Sequence, residues 1–179
     1  MTEQQRINKF VKLADDLFGL LDASILIDKL KDLNYFKAPA SIKHHGNYEG
    51  GLFDHSWAVM EALETLTYKL DLKWEDRRSL YIIGLFHDLC KCNDYIYNEE
   101  YDKWEYNNDK IMIGHGELSV IMTQQLIALT DEEIACIRWH MGAYDDKENW
   151  NILGRAIEKY PNVLYTHTAD MIASRIQKI

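Results

Sequence analysis

The chain has 179 residues, which suits one domain with a substantial core and leaves little room for two. Its apolar fraction of 47% and charged fraction of 27% are ordinary for a globular protein, and no apolar run approaches the roughly 18 residues of a membrane span. The formal net charge is −9 with no run of Lys and Arg, which argues against a track for long DNA or RNA. It leaves open a small phosphorylated substrate, because bound metal ions would supply positive charge that this count omits. The opening MTEQQRINKF has neither the basic nor the apolar part of a signal peptide, and Cys90, Cys92 and Cys136 form no disulfide framework. A cytoplasmic protein is expected. Cys90 and Cys92 read as incidental thiols at a helix end, since a zinc clip would want a second cysteine pair.

The first predicted helix runs from about Glu3 to Leu21, with Ile7, Phe10, Val11, Ala14, Leu17 and Leu21 at helical spacing. Ile25 to Leu33 forms a second, shorter one. Residues 34–51 read as a loop, with Pro39, Gly46, Gly50 and Gly51. From Phe53 to Leu70 the apolar residues Trp57, Met60, Leu63, Leu66 and Leu70 again recur every three or four positions. The next helix should span about Glu75 to Leu89. Tyr95, Tyr97, Tyr101, Trp104 and Tyr106 then alternate with polar residues between Asn93 and Asp109, the pattern of a small β-hairpin or ordered loop. Thr130 and Glu133 form a capping-box pair that opens the helix carrying Cys136, Ile137 and His140. Pro161 suits the first turn of a last helix reaching Gln177. The expected class is all-α, a single helical domain over 1–179 with its core at about 41–178 and the N-terminal helices 3–33 packed on it.

The histidines carry the chemistry through their placement. His55 lies near the start of one helix and His87-Asp88 near the end of the next; His115 opens a third, His140 closes a fourth, and Asp170 lies inside the last. Each core helix thus delivers one metal-ligand type, as bundle metal sites require. Imidazole nitrogen together with carboxylate oxygen suits manganese, iron, cobalt, nickel or zinc. His87 and Asp88 diverge by about 100° around a helix, so they can meet one ion from two sides. Six such ligands exceed one closed tetrahedral site and suit two ions sharing Asp88, with positions open for water and substrate.

The pattern His55 … His87-Asp88 … Asp170 resembles the signature of the HD-domain superfamily. The surrounding segments are denser in resemblance: HHGNYEGGLFDHS at 44–56, GLFHDLCK at 84–91, IGHGELSV at 113–120, IRWHMG at 137–142 and THTADMIASR at 166–175. Together they are similar to the small HD hydrolases of bacterial and phage genomes and to the HD module of certain bacterial 3′–5′ exoribonucleases. The resemblance implies that His55, His87, Asp88 and Asp170 bind a first divalent ion, and that His115 and His140, with Asp88 bridging, bind a second. It implies a catalytic part for Asp88 and a substrate-phosphate contact at Lys91. Two positions depart from the pattern: Cys90 stands where glycine is common, and Met141 where relatives with two ions often have a second histidine.

The expected activity is hydrolysis of a phosphoester of a small substrate, a nucleotide first, by metal-activated water. The alternatives are a di-iron oxygenase of the same fold and a nuclease or cyclic-nucleotide phosphodiesterase. His44, His45 and Asp145 are further candidates for substrate contact, and His167, one turn before Asp170, for orienting that carboxylate. No membrane or long nucleic acid is expected as a partner, and an oligomer is compatible with the sequence.

Overall fold

Two helix starts, at Thr2 and Thr130, fall where capping chemistry puts them. The computed structural model describes residues 1–43 and 46–179, which are mainly helical with one two-stranded sheet among them. Its residues gather into two units, the first of residues 1–54 and 91–111, the second of residues 55–90 and 112–179. Among the described residues no helix is long and apolar enough to cross a membrane.

In the first unit, helix α1 (Glu3–Phe18) opens on a capping box, Thr2 Oγ1 accepting from the Gln5 N–H while Gln5 Oε1 accepts from the Thr2 N–H. It stops earlier than the apolar period suggests. Gly19 takes φ +80 and turns the chain into α2 (Leu20–Asp32), leaving Leu20 and Leu21 each 76% exposed. The rings of Phe10, Tyr35, Phe36 and Phe53 meet edge-on or tilted with centroids 5.3 to 5.9 Å apart. Beside them Arg6 is buried and donates to both oxygens of Asp54 at 3.0 Å. Gly50, at φ +79, lets that guanidinium pass, because a Cβ there would lie 2.1 Å from Arg6 Cζ. The 93–109 stretch is a hairpin: strand β1 (Tyr95–Asn98) pairs antiparallel with β2 (Lys103–Tyr106), Tyr95 opposite Tyr106. Tyr97 packs across the strands on Trp104 at 5.5 Å, as self-packed hairpin aromatics do.

The helix α3 (Gly51–Leu70) runs from the first unit into the second. There α4 (Ser79–Phe86), α6 (His115–Gln124), α7 (Asp131–Trp139), α8 (Trp150–Lys159) and α9 (Asn162–Met171) build the helical part, the short helix α5 (Lys91–Asp94) belonging to the first unit. Val59, Leu63, Ile83, Cys136, Ile137, Val163 and Ala169 are buried together. Burying each aliphatic side chain of leucine size contributes about 1.5–3 kcal/mol, so this stripe holds the helices in place. Gly84 is required by the packing of α4 on α3: a Cβ there would lie 2.5 Å from Met60 Cα.

Polar ties fix α7 at its start. Thr130 and Glu133 complete a capping box. Glu133 also accepts from Ser79 Oγ at 2.9 Å, and Glu132 accepts from Asn162 Nδ2 at 2.7 Å and from the Glu75 N–H at 2.8 Å. These bonds join α7 to α4 and α9. Helix α8 has no counterpart among the expected elements. Leu153, Ala156 and Ile157, with Tyr160 just past its end, repeat at helical spacing and lie half-buried against the core.

Candidate metal centre

All six predicted ligands belong to the second unit. His55 lies near the start of α3, His87 caps the C-terminal end of α4 with Asp88 in the turn beyond, His115 opens α6, His140 caps α7, and Asp170 lies in α9. The α4 helix ends at Phe86, so the pair sits in the following turn and not in the helix proper. The structure brings all six together. His55, His87 and His140 are 0% exposed and Asp88 is 7% exposed.

Backbone carbonyls aim three of the rings. His55 Nδ1 lies 3.0 Å from Ile179 O, His87 Nδ1 3.0 Å from Gly84 O, and His140 Nδ1 2.7 Å from Ile137 O. A carbonyl oxygen accepts and cannot donate, so in each case Nδ1 carries a proton and Nε2 is the atom turned inward, as a lone pair whenever the ring is neutral. This is the second-layer support seen around metal-binding imidazoles. His167 continues it, donating from Nδ1 to the His140 carbonyl at 2.8 Å. It therefore steadies the backbone of His140 rather than the carboxylate of Asp170.

The Nε2 atoms converge on Asp88, and the two oxygens of that carboxylate divide them. Oδ2 lies 3.7 Å from His55 Nε2 and 3.8 Å from His87 Nε2. Oδ1 lies 2.5 Å from His115 Nε2 and 3.4 Å from His140 Nε2. Asp170 Oδ1 is 3.2 Å from His55 Nε2, on the Oδ2 side. Two groups of side chains each place one donor atom within 4.8 Å of one another: His55, His87 and Asp170, and Asp88, Cys90 and His115.

Electrostatics suit a cation in the middle. Burial holds His87 down to about 4, so its ring is neutral at pH 7. Burial also works against charge on His55 and His140, yet the carboxylates of Asp170 and Asp88 lift the first above its ordinary value, and Asp88 and Asp170 the second. Burial opposes ionisation of Asp170 in turn, but the His55 ring and the neighbouring imidazoles keep its carboxyl below the usual range. Among the described residues, His87 Nε2 and His140 Nε2 are buried with no hydrogen bond. An unmet buried polar atom costs about 1–3 kcal/mol, which a divalent ion facing these lone pairs would relieve. Nitrogen and oxygen donors of this kind fit a transition metal.

The other predicted positions fall differently. Lys91 opens α5 in the first unit and is partly buried. His44 and His45 lie outside the described residues. Asp145 lines, with His115, Glu117, Arg138 and Tyr144, a cavity of about 350 Å³. Its oxygens are engaged: Oδ2 accepts from Arg138 Nη1 at 2.6 Å, and Oδ1 accepts from Asn149 Nδ2 and the Asp146 N–H. Arg138 also pairs with Glu117 at 2.6 Å.

Cys90, expected as an incidental thiol, lies against His115. Its Sγ lies 3.1 Å from His115 Nδ1, and its backbone N–H donates to Ser119 Oγ on α6. The sequence signal was its place two residues after Asp88, which acquires meaning only once α6 brings His115 alongside.

The model of the family described as HD domain matches residues 52–175, which include all six converging side chains. A curated protein named dihydroneopterin 2′,3′-cyclic phosphate phosphodiesterase, from Methanocaldococcus jannaschii, is 31% identical over 106 residues. That match covers 56% of this chain and 39% of the relative, so the chain spans well under half of that protein's length. No solved structure gives a significant match. With the family model covering most of its length, and the histidines and aspartates of the motif gathered round one carboxylate, this chain belongs to the HD-domain family.

Proposed function

We propose that this protein is a metal-dependent phosphohydrolase that cleaves a phosphoester of a small, nucleotide-like substrate. The observation that carries the reading is the division of Asp88, one oxygen toward His55 and His87, the other toward His115 and His140. In this reading His55, His87, Asp88 and Asp170 hold one divalent ion, and His115 and His140, sharing Asp88, hold a second. Manganese, iron, cobalt, nickel and zinc all suit these donors. Such a metal supplies Lewis acidity when bound, lowering the pKa of water and offsetting phosphoryl charge.

The protein's own residues prepare that chemistry. The carbonyl anchors on Nδ1 keep the Nε2 lone pairs aimed inward, so little reorganisation is needed when a ligand arrives. Burial of His55, His87 and His140 keeps bulk water away and strengthens every charge interaction among them. Lys91, two residues beyond Leu89, is proposed to contact the substrate phosphate as a point charge. Asp145, its oxygens engaged, is proposed to hold Arg138 in the wall of the cavity beside His115. The relative's name supports a cyclic phosphodiester as the first substrate to offer.

The test is hydrolysis by the purified full chain, with each of the five metals, of 2′,3′-cyclic and linear nucleotides and of generic phosphodiesters. Metal-dependent ester cleavage that continues without oxygen is the expected result. Failure of every phosphoester with every metal, or turnover that requires dioxygen, would overturn the proposal.

A further inference from the structure

Cys90 stands inside the second group of donors. Its Sγ is 3.1 Å from His115 Nδ1 and 3.6 Å from His115 Nε2, and Asp88, Cys90 and His115 each place one donor atom within 4.8 Å of the other two. The Sγ–Nε2 spacing is close to that of two donors on one tetrahedral ion, since bonds of about 2.3 Å to sulfur and about 2.0 Å to nitrogen set them about 3.5 Å apart. Cys90 is held for such a part, since it is 1% exposed and its backbone N–H is fixed by Ser119 Oγ at 3.2 Å. Among the described residues it forms no disulfide.

A second observation points to a cation at the same place. The fully buried ring of His140 commits Nδ1 to the Ile137 carbonyl, and its Nε2 faces Asp88 Oδ1 at 3.4 Å without a hydrogen bond among the described residues. A lone pair facing a carboxylate oxygen is unfavourable unless positive charge lies between or beside them.

From this geometry we infer that Cys90 is a thiolate ligand of the second ion, which is then held by Asp88, Cys90, His115 and His140. The inference rests on the two-ion reading above. When the ion binds, the thiol proton passes to solvent and a sulfur lone pair forms the bond. The two positions then differ in softness. His55, His87, Asp88 and Asp170 offer nitrogen and oxygen alone, while the second set adds a sulfur and favours zinc, iron or cobalt over manganese.

Cobalt(II) titration of the metal-stripped full chain, read by absorption, tests this directly. The account expects two equivalents to bind and a sulfur-to-cobalt charge-transfer band to appear in the near ultraviolet. Zinc should displace that band where manganese does not. Cys90→Ser should lose it and bind the second ion about tenfold or more weakly, while the double variant Cys92→Ser with Cys136→Ala should keep it. That double variant also assigns the band if Cys90→Ser fails to fold, which circular dichroism would reveal. Two bound cobalt ions without the band, or a band that survives in folded Cys90→Ser, would overturn the inference and leave the metal centre standing. No bound cobalt at all would overturn both.

Discussion

Asp88 is the side chain that both groups of donors need. Its oxygens face His55 and His87 on one side and His115 and His140 on the other, so replacing it leaves neither group complete. Asp88→Ala should lower metal-dependent phosphoester hydrolysis by more than about 100-fold, since loss of an outer support alone costs about 10- to 100-fold. Undiminished hydrolysis by the folded variant would show that the activity belongs elsewhere. At this scale the sequence is informative about residue types and poor about pairings. His55, His87-Asp88, His115, His140 and Asp170 stand out because each occupies a separate predicted helix or its end. The partner of His167 is a backbone carbonyl 27 positions away, and that of Asp145 is Arg138 across a turn; neither contact has a local signature. Cys90 is hidden for the same reason, its neighbour His115 lying 25 residues on.

The elements that carry these residues are positioned by close backbone approaches. Gly84 lies one turn before His87 and supplies the carbonyl that orients it, while α3 passes within 2.5 Å of where a Cβ would be. Gly116, beside His115, likewise faces the Arg138 carbonyl of α7 at 2.1 Å from its would-be Cβ. Gly84→Ala and Gly116→Ala should each destabilise the fold by about 1–3 kcal/mol, the usual effect of overpacking, as read from urea unfolding. Each should also weaken metal binding, because the displaced helix carries a histidine. Unchanged stability and affinity would mean that the helices have slack the packing does not show. Most of the elements can be read from the sequence where caps and periods agree, as at Thr130 and Glu133 or along Trp57, Met60 and Leu63. The reading runs past Gly19 because apolar period alone continued to Leu21, and the positive φ that ends the helix there is a backbone property. Helix α8 has a clear period in Leu153, Ala156 and Ile157, but it is short, has no side-chain cap and carries none of the candidate ligands.

Across the whole molecule, the helical class and the candidate site are legible from chain order, since α3, α4, α6, α7 and α9 each carry a nitrogen or oxygen donor within them or at their ends. The grouping into two units is not, because no linker of distinct composition marks the junctions inside α3 and after Cys90. The net charge of −9 gives no hint of the proposed phosphate site either, since in that proposal much of the receiving charge would come from bound metal. In the proposed reading these side chains bind ions in two positions sharing Asp88. Calorimetric titration of the metal-stripped chain with manganese and with zinc, repeated on His115→Ala and Asp88→Ala, addresses it most directly. About two ions should bind the parent, about one should bind His115→Ala, and Asp88→Ala should hold none tightly, as a shared carboxylate in a two-metal site requires. A parent that binds no metal, or folded variants that keep the parent's stoichiometry, would contradict the account.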